Sequence, residues 1–219
     1  MSLKAVLFDM DGVIVDTEPL HRKAYFKLFD DLGIDVSEEL YTSFTGASTK
    51  KVCTTLIEKY QLNESPKELA MIKRKYFKYY FYHDADFNLL PGVKSLIENF
   101  FENNIKLVLA SSASIITINM VFEKFDLEKY FIGKISGDEL KESKPHPEIF
   151  LIAAEVANEP KQNCMVIEDS TNGILAAYSA GIFCAAYKSE HSVGQNYDKA
   201  NLVISDFSEI EFEKIEKYF

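Results

Sequence analysis

The sequence contains few cysteines, and those few are far apart. Cys53, Cys164 and Cys184 are the only three, and none belongs to a Cys-x-x-Cys pair. This scatter predicts buried, reduced thiols in a cytoplasmic protein and excludes a disulfide framework. Because a predicted strand begins within a few residues of the first methionine, we also expect no signal peptide.

The sequence also lacks a surplus of positive charge and any long apolar run. It has 24 Lys and Arg against 34 Asp and Glu, a formal net charge of −10, which disfavours a general binder of nucleic acids or anionic membranes. No apolar run approaches the ~20 residues that a membrane span needs. We expect a monomer, because the surface is acidic and no clear apolar stripe is exposed. A local group of lysines, backbone amides or a metal ion must then hold any anionic substrate.

The order of predicted strands and helices indicates an α/β fold with an insertion. The apolar run at 5–8 has no helical spacing, which is typical of a strand buried on both faces of a parallel sheet. Residues 19–82 have helical periodicity throughout, whereas strands and helices alternate in the rest of the chain. We therefore predict a doubly wound, Rossmann-like parallel sheet formed by residues 1–15 and 88–219, with an all-α helical cap domain at 16–87.

Polar side chains follow the predicted strands at four points along the chain. They are Asp9 and Asp11, Ser111 and Ser112, Lys144, and Glu168 and Asp169. In open α/β sheets, ligands bind outside the carboxyl ends of the strands, where these residues are expected to converge. Each signal is weak by itself, but the four together predict an active site.

The residue types at these strand ends indicate phosphoryl transfer. Asp9 is the candidate nucleophile, since carboxylates form aspartyl-phosphates. Asp11 is the candidate general acid and base, which would protonate the leaving oxygen and later remove a proton from water. Lys144 and the hydroxyls of Ser111 and Ser112 are candidates for binding the phosphate oxygens.

The acidic residues also predict a magnesium site. Asp9 and Asp11 are two like charges close together, and a divalent cation allows both to stay ionised. Hard oxygen ligands suit Mg²⁺. We therefore predict Asp9, Asp11, Glu168 and Asp169 as ligands, with Asp11 contributing a side-chain or backbone oxygen and Glu168 binding the ion or its waters.

Four segments of the sequence resemble the motifs of one enzyme family. They are F-D-M-D-G-V at 8–13, L-A-S-S at 109–112, S-K-P-H-P-E-I-F at 143–150 and V-I-E-D-S-T-N-G-I at 166–174. In this order they resemble the haloacid dehalogenase superfamily of phosphohydrolases, in the branch with a small helical (C1) cap that includes β-phosphoglucomutase-like proteins and phosphatases. The resemblance implies that Asp9 is phosphorylated, that Asp11 is the acid/base, and that Asp9, Asp11 and Asp169 hold Mg²⁺. The presence of Asp11 disfavours dehalogenation.

The predicted cap carries two segments that look like β-phosphoglucomutase motifs, H-R-K-A-Y at 21–25 and G-A-S-T at 46–49. By this resemblance His21, Gly46 and Thr49 are substrate-binding candidates, and His21 matches the mutase histidine that couples cap closure to the acid/base. The chain departs from the mutases at Thr49, where they have an arginine for a second phosphate. It departs again at 114–115, where they have Lys-Asn. Losing a bidentate arginine weakens the case for a mutase.

Three consecutive basic residues lie on the long predicted helix of the cap. Lys73, Arg74 and Lys75 are either contacts for the distal end of the substrate, with Lys75 as our candidate, or a solvated helix face. Sequence alone leaves both interpretations open.

The function predicted from the sequence is a Mg²⁺-dependent phosphatase of a small phosphorylated metabolite, such as a sugar phosphate, with an aspartyl-phosphate intermediate. The alternative is a hexose-phosphate mutase of the β-phosphoglucomutase type. A non-catalytic binding protein is disfavoured, because a degenerate site would have lost at least one of five residues. Those five are all present: Asp9, Asp11, Ser111, Lys144 and Asp169.

Overall fold

The structure, a computed structural model, describes residues 2–44, 49–189 and 194–219. The strands are β1 (Ala5–Phe8), β2 (Lys106–Ser111), β3 (Phe131–Ser136), β4 (Cys164–Glu168), β5 (Phe183–Tyr187) and β6 (Leu202–Ile204). The helices are α1 (Glu18–Leu32), α2 (Glu38–Thr42), α3 (Thr49–Tyr60), α4 (Pro66–His83), α5 (Val93–Glu102), α6 (Ile115–Phe125), α7 (Glu148–Ala157), α8 (Thr171–Ala180) and α9 (Phe212–Ile215).

The chain divides into two compact units. An α/β unit comprises Met1–Asp16 and Asn88–Phe219, and a helical unit comprises Thr17–Phe87. The helical unit therefore follows directly after the first strand and its turn, and the chain then returns to complete the sheet.

The sheet of the α/β unit is parallel, with strand order β3-β2-β1-β4-β5-β6. Strand β1 lies in the middle, paired with β2 on one side and β4 on the other. The strand order reverses at β1, and the crevice at such a switch point is where ligands bind in doubly wound sheets. The predicted doubly wound parallel fold is confirmed.

Both faces of the sheet are buried, which explains why every residue of β1 is apolar. Ala5 and Leu7 belong to a buried cluster with residues of α7 and α8. Because side chains alternate along a strand, Phe8 lies on the opposite face from Leu7. There it packs edge-on against Phe100 of α5 and Phe131 of β3. All four residues of β1 are fully buried.

The helical unit has its own apolar core, formed by residues of α1, α3 and α4. Helix α1 has a proline in its first turn and ends at Gly33, whose φ of 62° is left-handed and whose N–H bonds back to the last turn. Helix α4 begins with a capping box, in which Ser65 accepts from the Glu68 N–H and Glu68 accepts from the Ser65 N–H.

The C-terminal segment is not a single helix. It forms a 3₁₀ turn over Phe207–Ile210, the short α9, and a second 3₁₀ turn over Glu216–Tyr218. Glu211 has ψ of 152°, which is extended and ends the first turn. The N–H of Phe212 donates to Asn99 Oδ1 at 2.8 Å, so a bond to the α/β core begins the next turn.

Two of the absences noted in the sequence have structural counterparts. Cys53, Cys164 and Cys184 are free and buried, as expected for thiols used as core residues. Within the described part of the chain, none of the helices combines the length and the hydropathy that crossing a bilayer requires.

We expect Leu7→Ala to lower the free energy of unfolding by about 2–5 kcal/mol, because it leaves a cavity in the fully buried central strand. The matched control is Leu151→Ala on α7, where the leucine is 39% exposed and the expected loss is about 0.5 kcal/mol. Urea unfolding followed by circular dichroism measures both. Equal losses in the two variants would contradict the central position of β1.

Candidate active site

Lys144 connects three strand ends of the sheet. It lies in the turn before α7, and its side chain is 5% exposed. Its Nζ donates to Asp9 Oδ1 at 2.5 Å, to Glu168 Oε1 at 2.7 Å and to the Ala110 carbonyl at 3.1 Å. These partners use all three N–H groups of the ammonium. Residues 135 positions apart, Asp9 and Lys144, are thus in direct contact.

Glu168 is the second connecting residue of this edge. It is the last residue of β4 and is 1% exposed. Its Oε2 accepts from the N–H of Asp169 at 2.9 Å, from the N–H of Ser170 at 2.8 Å and from Ser170 Oγ at 3.0 Å. Its carboxylate therefore joins Lys144 to the turn that leads into α8.

Asp169 lies against the turn that follows β1. Gly12 has a left-handed φ of 81°, and a Cβ there would be 2.2 Å from Asp169 Oδ2. The absence of a side chain at Gly12 therefore makes room for this carboxylate. Asp11, next to Gly12, is half-buried and pairs with Val15 in a short bridge. Asp169 therefore lies beside the turn that carries Asp11.

The loop after β2 fixes Ser111. This serine is 2% exposed, and its Oγ accepts from the Ala113 N–H at 3.1 Å. Ser136 Oγ, at the end of β3, donates to the Ala113 carbonyl at 2.8 Å and so holds the loop from the other side. Ser112 is exposed, and a Cβ at Gly137 would be 2.9 Å from its Cα. The loop is therefore tightly held around the Ser111 hydroxyl.

The electrostatics of this edge favour an added cation. Burial raises the pKa of Asp9 well above its usual range, with Glu168 and Asp169 adding to the rise and Lys144 opposing it. Burial and Glu168 raise the pKa of Asp169 to about 7. Burial lowers the pKa of Lys144, but Asp9 and Glu168 outweigh it and hold the pKa above its usual value. One ammonium therefore faces several acidic groups, and positive charge would stabilise their ionised forms.

The predicted metal ligands are oxygen donors of the kind that Mg²⁺ prefers. In residues 2–44, 49–189 and 194–219, no three or more His, Cys, Asp or Glu side chains form a ready-made metal-binding group. The four ligands predicted from sequence, Asp9, Asp11, Glu168 and Asp169, stay a prediction.

In the helical unit, His21 is packed against a buried lysine. The His21 ring stacks on Phe77, with centroids 4.4 Å apart, and its Nδ1 contacts Lys73 Nζ. Lys73 is only 2% exposed, and its ammonium lies 4.8 Å from the Tyr25 ring centroid and 5.1 Å from that of Phe77. Burial, together with the Lys73 charge, lowers the pKa of His21 to about 3, and burial lowers the pKa of Lys73 to about 8.

The other candidates of the helical unit have different surroundings. Thr49 begins α3, is half-buried and lies beside Tyr25. Lys75 is exposed on α4, as is Arg74. Gly46 lies outside the described residues. Of the three adjacent basic residues, Lys73 alone is buried, so the solvated-face interpretation does not describe it.

Sequence reasoning missed the contact between Lys73 and His21, although the helix spacing contained a signal for it. Leu69, Lys73, Phe77 and Phe81 follow one another at intervals of four on α4, and all are buried. Residues at this spacing share a helix face. A lysine on an apolar face predicts a buried ammonium, which needs a partner.

His21 makes the stability depend on pH. Its pKa of about 3 in the folded protein is below the unfolded value near 6.5, so the unfolded chain binds this proton first as the pH falls. As the pH falls below 6.5, we expect the free energy of unfolding of the wild type to decrease. Its slope against pH should exceed the slope of His21→Gln by up to about 1.4 kcal/mol per pH unit. Urea unfolding between pH 7 and 4.5 measures the slopes. A wild-type slope in His21→Gln would contradict the assignment.

Comparison with known proteins gives relatives over most of the chain. A phosphorylated carbohydrates phosphatase of Thermotoga maritima is 35% identical over 180 residues, which are 82% of each chain. Hexitol phosphatase B of Escherichia coli is 29% identical over 176 residues, 80% of this chain and 79% of the relative. The solved structure of a β-phosphoglucomutase from Clostridium difficile matches with a TM-score of 0.74 at 32% identity, over 98% of this chain and 96% of that one.

The sequence profile of one family covers most of the chain. The profile described as haloacid dehalogenase-like hydrolase matches residues 6–187, a range that includes all four motifs. It agrees with the parallel sheet, with the relatives above and with the resemblance noted in the sequence. The chain therefore belongs to the haloacid dehalogenase-like hydrolase family.

Proposed function

We propose that the protein is a Mg²⁺-dependent phosphatase of a small phosphorylated metabolite, a sugar phosphate, that acts through a phosphorylated Asp9. One observation carries the proposal: the buried Lys144 ammonium bonds at once to Asp9, Glu168 and the carbonyl end of β2. A fixed positive charge beside a carboxylate, at the switch point of the sheet, suits the binding and transfer of a phosphoryl group.

The reaction has two displacements at phosphorus. An oxygen of the Asp9 carboxylate attacks, a bond from phosphorus to that oxygen forms, and the ester bond to the substrate oxygen breaks. Asp11 donates a proton to this leaving oxygen, which departs as an alcohol. Asp11 then takes a proton from water as the water attacks phosphorus, and phosphate leaves Asp9 with its carboxylate restored.

The remaining residues of the site bind charge. Lys144 neutralises Asp9 and then the phosphate oxygens. The Ser111 hydroxyl accepts from Ala113 and has its own hydrogen to donate to a phosphate oxygen, with Ser112 beside it. The side chains of Asp9 and Asp169 and an oxygen of Asp11 would hold Mg²⁺. When bound, the ion supplies positive charge that stabilises the transferring phosphoryl group.

Three positions favour hydrolysis over the mutase alternative, in which two phosphates must be held. Ser114, where mutases have the lysine, uses its Oγ to cap α6 by accepting from the Thr117 N–H at 3.3 Å. Ile115, at the next position, has no polar group. Thr49, where mutases have the arginine, carries no positive charge for a second phosphate. Two relatives named as phosphatases of carbohydrate-type phosphates also favour hydrolysis. The structural similarity to a β-phosphoglucomutase is the reason to test the mutase alternative.

The proposal includes three further features. His21, Thr49 and Lys75 are substrate-binding candidates of the helical unit, together with Gly46. The protein works in the cytoplasm, which agrees with its free cysteines. It is a monomer, which agrees with its net charge of −10.

We expect Asp9→Asn to lower the rate of aryl phosphate hydrolysis with Mg²⁺ by about 10³-fold or more, because the amide cannot accept the phosphoryl group. The matched control is Asp126→Asn, whose side chain is 78% exposed at the end of α6 and which should hydrolyse at the wild-type rate. Release of p-nitrophenol measures both.

Two results would contradict this mechanism. One is undiminished turnover in Asp9→Asn. The other is full activity of the wild type after exhaustive treatment with EDTA, since the proposal needs a divalent cation for the Asp9 and Asp169 carboxylates.

The choice between hydrolase and mutase has a direct test. Supplied with β-glucose 1-phosphate and a trace of the 1,6-bisphosphate, the wild type should release inorganic phosphate and free sugar. Accumulation of glucose 6-phosphate without phosphate release would establish the mutase. A panel of phosphorylated metabolites, assayed by phosphate release, then identifies the preferred substrate.

A further inference from the structure

We infer that Glu168 is a positioning residue and not a ligand of the metal: its carboxylate fastens Lys144 to the turn between β4 and α8. The inference rests on the proposed function for the existence of the metal site. It assigns to Glu168 a role different from the metal ligation expected from the sequence.

The oxygen Oε2 of Glu168 is fully used by the protein. It accepts three hydrogen bonds, from the N–H groups of Asp169 and Ser170 and from Ser170 Oγ, at 2.8 to 3.0 Å. A carboxylate oxygen has two lone pairs. Three donors already surround this one, so a cation there would have to displace them and release the start of α8.

The oxygen Oε1 faces a positive charge. Lys144 Nζ donates to it at 2.7 Å, and both side chains are at most 5% exposed. A divalent cation bound to the same oxygen would lie next to the ammonium, away from water, where repulsion between like charges is strong. The ammonium and the cation therefore compete for Oε1, and the ammonium holds two further protein partners.

Gly173 gives the carboxylate its space. This buried glycine lies within α8, and a Cβ built on it would be 1.6 Å from Oε1 and 1.8 Å from the carboxyl carbon of Glu168. Glycine inside a helix is less favourable than alanine by about 1 kcal/mol. The Glu168 carboxylate explains the glycine: it occupies the volume that a side chain would fill.

The ion pair between Glu168 and Lys144, called the bridge below, acts on the reaction through Lys144. The ammonium bonds Asp9 on one side and Glu168 on the other. Glu168 thus orients the cation that neutralises the nucleophile, and it does so from a carboxylate fixed to the backbone of the Asp169 turn. The two acidic residues of this motif therefore have separate tasks, with Asp169 directed to the metal and Glu168 to the lysine.

The test compares thermal unfolding midpoints in EDTA and in excess Mg²⁺ for four variants. Glu168→Gln and Gly173→Ala should lower the metal-free midpoint by about 5 °C or more, since each disturbs the bridge, and both should keep the Mg²⁺-induced rise. Gly173→Ala is the sharper variant because it changes no charge, and helix propensity alone would raise its midpoint. Asp169→Asn should lose the Mg²⁺-induced rise and keep its metal-free midpoint. Ser179→Ala, exposed on α8, should match the wild type.

The inference is overturned if Glu168→Gln keeps the wild-type midpoint in EDTA and loses its response to Mg²⁺, which is the behaviour of a ligand. It is also overturned if Gly173→Ala is as stable as the wild type or more so. If Glu168→Gln does not fold, Gly173→Ala decides the question. If Mg²⁺ fails to raise the midpoint of the wild type, the proposed metal site fails, and the metal-free midpoints still report on the bridge between Glu168 and Lys144.

Discussion

The buried ammonium of Lys144 is the constraint on which the candidate site depends. A charge removed from water must have partners, or its desolvation destabilises the fold. Here the partners are Asp9, Glu168 and the Ala110 carbonyl, which lie at the carboxyl ends of three neighbouring strands. One lysine thus holds together the polar groups at the ends of three neighbouring strands. It also fixes the direction of Asp9 before any substrate arrives, so the site is organised in advance by the protein's own charges.

Much of this arrangement could be predicted because its signals are local. Strand β1 is apolar on both faces, and its acidic residues come directly after it, so sheet, strand end and carboxylates all follow from adjacent positions. What could not be predicted is the direction in which each side chain turns and which atoms it then meets. Nothing near Glu168 in the sequence indicates that its Oε2 receives three donors, or that Gly173 yields its volume to the carboxylate.

The helical unit also contains an arrangement that residue type alone does not predict. Lys73, Arg74 and Lys75 are adjacent and chemically alike, yet one is buried and two are exposed. Their difference comes from the helix period, which puts Lys73 alone on the apolar face with Phe77. There it meets His21, and burial keeps the imidazole neutral. Charge in a sequence therefore has to be interpreted with the periodicity of its element, because burial changes what a charged group can do.

Gly12 and Gly173 have a consequence for the interpretation of related sequences. Each leaves a space the size of a methyl group, and a carboxylate fills it: Asp169 beside Gly12, and Glu168 beside Gly173. A relative could keep every acidic residue of the motifs and still hold two of them out of position if alanine replaced either glycine. Counting acidic residues is therefore an incomplete criterion for an active homologue. The two glycines, which have no functional group, are as informative as the carboxylates that they accommodate.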